Sequence, residues 1–343
     1  MWTTIILFLV ILFTYIHIQS QHKTGEDLEV FEYSFSTPKD LQDITSYKQP
    51  ILFPMTIPFF QGDSSLDSLF IKDVRDNNNN NTHVVADAIS LSNRSAKGLL
   101  ETDTQSVFYS EGNHASIINH SNWRKWFRAL EIYLKPYFTI SSEYDVMYGS
   151  FKTRTPTTFN RESHVYLYLP IETNHTHIRI KMTPWKNRQY LETFSDYTCY
   201  KFGSKKSLYE KNDDQYKCLD FFVFPGSVLF IPPFWFYSIE FQSTQSEVCM
   251  VKYTTGPNFL ANINHMGLYF AQQQNIQEKW WKTTTPKDET TAVKHTTAAK
   301  YTTAITKTMI ESEIETNGGD EETKEKKDKS VAETLIDELQ PKN

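Results

Sequence analysis

The chain has 343 residues, of which 39% are hydrophobic and 15% aromatic, and its formal net charge is −6. This length supports one large domain or two smaller ones, and the abundance of Phe and Tyr favours a strand-rich core over a helical bundle. The acidic balance lacks the clustered positive charge that is typical of nucleic-acid-binding proteins. We therefore do not expect DNA or RNA as a partner.

Three cysteines occur, at Cys199, Cys218 and Cys249. None of them has the C-x-x-C spacing of a zinc site, and three cysteines cannot form a disulfide framework. Two interpretations remain: one bridge between Cys199 and Cys218, or three unpaired thiols.

The chain begins with an apolar segment, and residues 2–18 contain no Lys, Arg, Asp or Glu. About 17 residues is short for a membrane-spanning helix and long for the apolar part of a signal peptide. Because no basic residue precedes the segment and no A-x-A cleavage pattern follows it, we predict that residues 1–19 are an uncleaved signal anchor; a signal peptide is the alternative. The protein is then a single-pass membrane protein or a secreted one.

Four N-x-S/T sequons follow the apolar segment, and each is a candidate glycosylation site. They are Asn80, Asn93, Asn119 and Asn174. Together with the N-terminal segment, they favour a lumenal or extracellular main body.

Next in chain order, the polar residues 20–48 are predicted to be a linker or the first turns of the folded part. Residues 49–60, QPILFPMTIPFF, combine three prolines with large apolar side chains, which favours an extended edge segment and excludes a helix. The low-complexity run 73–82 is predicted to be a surface loop. Residues 121–137 have apolar positions at mostly three-to-four spacing and are predicted to be a helix that stops at Pro136.

Beyond this helix, short apolar runs separated by turn signals predict strands. Residues 177–184 alternate strictly, with apolar Ile178, Ile180 and Met182 on one face. Residues 258–281 are predicted to be a helix that could pair with a second copy of the chain. The threonine- and charge-rich residues 282–343 are predicted to be a disordered tail.

The segment 227–241, SVLFIPPFWFYSIEF, closely resembles the last signature of the JmjC-type and cupin-like hydroxylases, GD-L-[FY]-IP-x-x-WW-H. The approach to that family's H-x-D motif resembles residues 148–163, YGSFKTRTPTTFNRES, and its L-F-P-P strand resembles residues 179–185, RIKMTPW. The similarity covers about residues 120–256 and is greatest to the asparaginyl hydroxylase branch of the family.

This resemblance implies a mainly β fold with flanking helices, in which residues 49–257 form a double-stranded β-helix, or jelly-roll, domain. In the family, this barrel encloses Fe(II) and 2-oxoglutarate. The positions that match the two metal-binding histidines and the carboxylate are occupied by Asn160, Tyr237 and Glu162, respectively. All three differ from the family pattern, which argues against ordinary Fe(II) binding.

Four further residues are candidates for an altered site. Glu162 and His164 have the two-residue spacing of a shifted metal-binding pair. The lysine that binds 2-oxoglutarate in the family falls near His177, and Arg179 and Lys181 on the same strand are candidates for binding an anionic ligand. Surface histidines and solvent-facing strand charges are the alternative interpretation of these four side chains.

The resemblance therefore predicts a non-catalytic JmjC-like barrel, without a cofactor, that acts as a binding or interaction module at a membrane or in a secretory compartment. The main alternative is an Fe(II)- and 2-oxoglutarate-dependent protein hydroxylase with an altered metal site. A surface glycoprotein with a structural role is a third hypothesis. The sequence does not identify a protein partner.

Overall fold

The structure of the protein is a computed structural model. It describes residues 2–34, 37–56, 66, 68–77, 82–85, 89–102, 108–171, 177–197, 201–210, 216–243 and 246–272. These residues all belong to the first of the two units into which the chain divides, 1–282 and 283–343. The predicted tail therefore lies outside the described residues.

The described helices are α1 (Trp2–His22), α2 (Pro38–Thr45), α3 (Asn93–Thr102), α4 (His114–Asn119), α5 (Ser121–Leu134), α6 (Gly256–Ala261) and α7 (Ile263–Gln272), with a 3-10 helix at Trp185–Tyr190. The strands are β1 (Phe31–Glu32), β2 (Ile51–Pro54), β3 (Ser68–Asn77), β4 (Thr82–Val85), β5 (Ile89–Ser92), β6 (Phe108–Ser110), β7 (Thr139–Gly149), β8 (Thr158–Phe159), β9 (His164–Tyr168), β10 (Ile178–Pro184), β11 (Thr193–Asp196), β12 (Lys201–Ser204), β13 (Leu219–Val223), β14 (Ser227–Ile231), β15 (Trp235–Phe241) and β16 (Val248–Thr255).

The strands of the described residues form two sheets, so the predicted mainly β architecture with flanking helices is confirmed. The first sheet has the strand order β1-β2-β14-β9-β16-β7-β6-β3-β4, with β5 paired to β3. The second sheet has the order β11-β12-β8-β15-β10-β13. Neighbouring strands are antiparallel, except that β1 runs parallel to β2.

Both sheets contribute side chains to one hydrophobic core. From the second sheet come the alternate residues of β10, Ile178, Ile180 and Met182, which confirms the face predicted from the sequence. From the first sheet come buried residues of β7, β9, β14 and β16. The helix α5 confirms the predicted helix at 121–137 and buries Trp123, Trp126, Phe127, Leu130 and Leu134.

The N-terminal helix α1 is long and apolar enough to cross a membrane, by length and composition alone. A signal sequence meets the same criteria. Almost all of its side chains are exposed, and it contacts the domain through α6.

Residues 20–48 agree with the second of their two interpretations, the first turns of the folded part, because β1 pairs with β2 and α2 begins with a capping box formed by Thr37 and Asp40. Two other predictions about local structure differ from what is observed. The predicted loop 73–82 contains the end of β3, which pairs with β4. The predicted helix 258–281 is broken at Asn262 into α6 and α7, and its residues 273–281 lie outside the described residues.

Candidate functional site

Two of the three residues that the sequence resemblance aligned with metal ligands are neighbours in the second sheet. Tyr237 of β15 pairs with Thr158 of β8. Two residues further on, the backbone N–H of Asn160 donates to the carbonyl of Trp235 at 2.8 Å. Asn160 and Tyr237 are therefore diagonal cross-strand neighbours.

The side chain of Asn160 is engaged in hydrogen bonds within the protein. Its Nδ2 donates to the backbone carbonyls of Ile231 at 3.1 Å and Pro232 at 2.9 Å, and its Oδ1 accepts the N–H of Glu162 at 2.9 Å. The side chain is buried, with Asn160 only 3% exposed. These hydrogen bonds of Asn160 stabilise the turn before β15, in which Phe234 has a positive φ of 62°.

Glu162 lies beside β16, a central strand of the first sheet, and accepts a hydrogen bond from the hydroxyl of Thr254 in that strand. Burial raises the pKa of Glu162, and the charge of Glu143 raises it further, while Thr254 and Lys252 oppose the shift. The carboxyl group therefore has an increased tendency to be protonated.

Tyr237 is buried and faces the core between the sheets. Burial raises the pKa of its phenol to about 12, against the opposing positive charge of Lys252. At neutral pH, Tyr237 is therefore a neutral phenol.

A lysine that the sequence analysis did not select lies among these groups. Lys252 of β16 is paired with Glu143 of β7, and its Nζ lies 3.7 Å from Glu143 Oε1. Lys252, Glu143 and the groups that interact with them electrostatically define the Lys252 cluster, which consists of Lys252, Glu111, Glu143, Asp145, Glu162 and Tyr237. Burial alone would lower the pKa of Lys252, but the neighbouring acidic groups outweigh it and raise the pKa.

Asp145 has a structural role in this cluster. Its carboxylate accepts the backbone N–H groups of Gly112 at 2.7 Å and Asn113 at 2.9 Å, which fixes the connection between β6 and α4. Burial and the charge of Glu111 raise its pKa to about 6, although the two backbone hydrogen bonds oppose the shift.

A sequence signal for this cluster exists. Met147, Met250 and Val248 are core residues on the same strand faces that carry Asp145 and Lys252. A polar residue at such a position in an otherwise apolar row indicates either a buried ion pair or a site. The row becomes visible only when the register of β16 and β7 is known.

His164 and Glu162 lie on opposite faces of the first sheet. In the sheet, His164 is paired with Tyr253, whereas the side chain of Glu162 is hydrogen-bonded to the side chain of Thr254. Tyr253 and Thr254 are adjacent in β16, so their side chains point to opposite faces. The Nε2 of His164 lies 3.3 Å from the hydroxyl of Thr45 in α2. Burial and the charge of Lys48 lower its pKa to about 3. The structure thus does not bring His164 and Glu162 together.

Arg179 and Lys181 of β10, and His177 directly before this strand, lie on the side of the second sheet that faces away from the core. Arg179 donates two hydrogen bonds to Asp220, at 2.7 and 2.6 Å, and Lys181 lies 3.5 Å from the same carboxylate. The ring of His177 packs against Phe222. Tyr237 faces the core, so it lies on the other side of this sheet.

The remaining candidates are placed as follows. Asn93 is buried at the start of α3, and Asn119 is exposed at the end of α4. Asn80 and Asn174 lie outside the described residues. Cys218 and Cys249 are free thiols, and Cys199 also lies outside the described residues.

Within the described part of the chain, no group of three or more His, Cys, Asp or Glu side chains is arranged to hold a metal ion. No model of a known protein family matches the chain, and a search of curated proteins also finds no match.

Proposed function

We propose that this chain is a membrane-tethered binding module built on a JmjC-like double-stranded β-helix, and that it does not perform the iron chemistry of the enzymes it resembles. The observation that carries the proposal is the engagement of Asn160. Its amide group is bound to two backbone carbonyls and one backbone N–H, so it stabilises a turn.

The chemistry of the two other positions supports the same proposal. An Fe(II) centre of this family needs two neutral imidazoles and one carboxylate on one side of the metal. Tyr237 is a neutral phenol at neutral pH, and the pKa of Glu162 is raised by burial. These residues do not fit such a centre.

Two features support the barrel and its tether as parts of the proposal. The two sheets share one core, and the segment 227–241 supplies the adjacent strands β14 and β15, one to each sheet. The helix α1 is of sufficient length and apolarity to be a membrane anchor. We propose that the ligand of the module is a protein at the membrane or in the secretory compartment.

One observation favours the alternative of a hydroxylase with an altered metal site. The strand register makes Asn160 and Tyr237 diagonal neighbours, which is the placement that two ligands of one metal would need. The experiment must therefore separate the fold from the chemistry.

The test is anaerobic calorimetry of the metal-free full chain in detergent, titrated with Fe(II) and 2-oxoglutarate. We expect no coupled binding and, in a separate assay in air with Fe(II) present, no decarboxylation of 2-oxoglutarate, because that reaction consumes O2. Coupled binding by the unaltered chain would refute the proposal in favour of the hydroxylase.

A restored variant tests the fold separately. The combined substitutions N160H, E162D and Y237H recreate the family's ligand set at the matching positions. If the fold is JmjC-like, this variant gains Fe(II) binding, provided that circular dichroism shows a folded protein. A folded variant that gains no binding would argue against the JmjC-like alignment.

A further inference from the structure

The length of α1 determines where its C-terminal end lies relative to a bilayer. The hydrocarbon core of a bilayer is about 30 Å thick, and a helix rises about 1.5 Å per residue. The helix has 21 residues, so crossing the bilayer uses the whole of Trp2–His22. Its C-terminal end, and the part of the domain in contact with it, must then lie at the membrane surface.

The helix α1 is joined firmly to the domain. Near the C-terminal end of α1, Ile18 and Gln21 are half-buried and share one helical face, and α1 packs against α6. The ammonium group of Lys48 donates to the backbone carbonyls of Gln21 at 3.1 Å and Lys23 at 2.9 Å. Gln21 belongs to the last turn of α1 and Lys23 directly follows the helix, and a positive charge at this end also complements the helix dipole.

The same end of the domain exposes large apolar side chains. In α6 and α7, Leu260 is 41% exposed and Ile263 is 51% exposed. Before β7, Phe138 is 84% exposed. Its carbonyl accepts the N–H of Gly256, the first residue of α6, at 2.9 Å. The three side chains therefore belong to neighbouring elements around α6.

The backbone of Phe138 is strained, with a positive φ of 58°. A bulky residue in this region is a rare exception, and such strain persists where the surroundings impose it. Next to Phe138, Ile140 is also exposed. Phe138 is bonded to the first residue of α6, the helix that packs against α1, and an exposed Phe or Ile side chain in such a place can be buried at the boundary between headgroups and acyl chains.

We infer that Phe138, Ile140, Leu260 and Ile263 form a membrane-apposed base, which lies in the interfacial layer of the bilayer that α1 crosses. This inference rests on the membrane tether of the proposed function. The occupant of the surface is lipid because Leu260 lies on α6, the helix that packs against α1, and the apolar side chains of α1 are themselves exposed along almost its whole length.

The chain offers a matched control for this surface. Phe151 is also an exposed aromatic residue, with 57% of its surface accessible. It follows the far end of β7, whose 11 residues begin just after Phe138. A strand of this length extends about 35 Å, at about 3.3 Å per residue, so Phe151 is remote from the base.

The test uses the full chain in phosphatidylcholine vesicles, with single cysteine substitutions F138C, L260C, I263C and F151C labelled with a polarity-sensitive fluorophore. Nitroxide-labelled lipid is the quencher, and the unaltered chain measures labelling of the native cysteines. Interfacial side chains lie about 5–10 Å into the headgroup–acyl boundary, so we expect about twofold or stronger quenching at 138, 260 and 263 than at 151.

The outcomes separate the base from the tether. Co-flotation with vesicles after alkaline carbonate, together with equal quenching at all four positions, would overturn the inference and leave the tether intact. Failure to co-float would overturn the tether itself. Concentration-dependent self-quenching at 260 and 263 without lipid quenching would overturn the inference in favour of a second copy of the chain. Circular dichroism and the F151C variant establish that the labelled proteins are folded.

Discussion

At the residue scale, Asn160 illustrates how a short amide side chain can determine the path of the backbone. It is the partner of two carbonyls in the turn before β15, and its oxygen accepts the N–H of Glu162. An amide has both donors and acceptors, so it can satisfy both kinds of backbone group at one place. Neither an imidazole nor a carboxylate could make this set of bonds.

The substitution N160A should therefore destabilise the protein. It leaves buried carbonyls without their donors, and each unsatisfied buried group costs about 1–3 kcal/mol. We expect the free energy of unfolding to fall by about 2–4 kcal/mol in urea denaturation. The matched control is N119A, at an exposed position, which should change it by less than about 0.5 kcal/mol. Equal values for the two variants would contradict this role of Asn160.

His164 predicts a specific pH dependence of stability. Its folded-state pKa is lowered to about 3, because burial disfavours the charged imidazole and Lys48 adds to the effect. The unfolded state, with a pKa of about 6.5, therefore binds more protons between pH 3 and 6.5. The stabilising contribution is present above the unfolded pKa and is lost as the pH falls towards the folded pKa.

The expected effect between pH 7 and pH 5 is a loss of about 2 kcal/mol from this one group. Asp145 acts in the opposite direction, because its raised folded pKa of about 6 makes the folded state bind more protons in the same range. The free energy of unfolding is therefore measured at pH 7 and pH 5 for both the wild type and H164Q. Asp145 contributes equally to both proteins, so the difference between their two pH-dependent changes isolates the effect of His164. A difference near zero would show that His164 is accessible to protons in the folded state.

At the element scale, the close packing of the two sheets depends on a glycine in β7. A Cβ atom added to Gly149 would lie 2.2 Å from a ring carbon of Phe241 in β15. Aromatic side chains in a core cannot move by so much without disturbing their neighbours. Gly149 therefore allows the sheets to approach each other at this point.

The substitution G149A should lower the free energy of unfolding by about 1–3 kcal/mol, which is typical of overpacking in a core. The control is G267A in α7, where an added Cβ meets no atom within 4 Å. Since alanine favours a helix over glycine by up to about 1 kcal/mol, this variant should be neutral or more stable. Thermal denaturation of both variants tests the prediction, and an unaltered melting temperature for G149A would contradict it.

Some of the secondary-structure elements can be predicted from the local sequence pattern, whereas others depend on distant residues. The regular spacing in α5 and the alternation in β10 predict these elements, because each depends only on which face of the element is buried. The break between α6 and α7 depends on distant residues. The side chains of Asn258 and Asn262 both donate to the carbonyl of Arg161, at 3.0 and 3.3 Å, and this contact spans about a hundred residues of sequence.

At the scale of the whole molecule, the sequons provide a test of the proposal that the main body is lumenal or extracellular. The side chain of Asn119 is exposed to solvent, whereas that of Asn93 is buried in the folded domain. A glycan on a buried asparagine is incompatible with the folded domain, since glycans are bulky and lie at the surface. Of the two described sequons, only Asn119 is therefore expected to carry a glycan.

Expression in a secretory cell tests this expectation. The substitution N119Q should increase the electrophoretic mobility by the mass of one glycan, and treatment with a glycosidase should abolish the difference from the wild type. The matched substitution N93Q should leave the mobility unchanged. If glycosidase treatment does not change the mobility of the wild type, the prediction of a lumenal or extracellular main body would be wrong.

The sequence by itself determined the mainly β composition, the apolar N-terminal helix, and the faces of elements such as α5 and β10. These features follow from the spacing of apolar residues along one segment, and this spacing can be recognised without knowing which other segments pack against it. The Lys252 cluster and the separation of His164 from Glu162 were decided by tertiary structure alone. Both depend on the register of β16 with β7 and β9, and register arises when strands distant in sequence bury a common face.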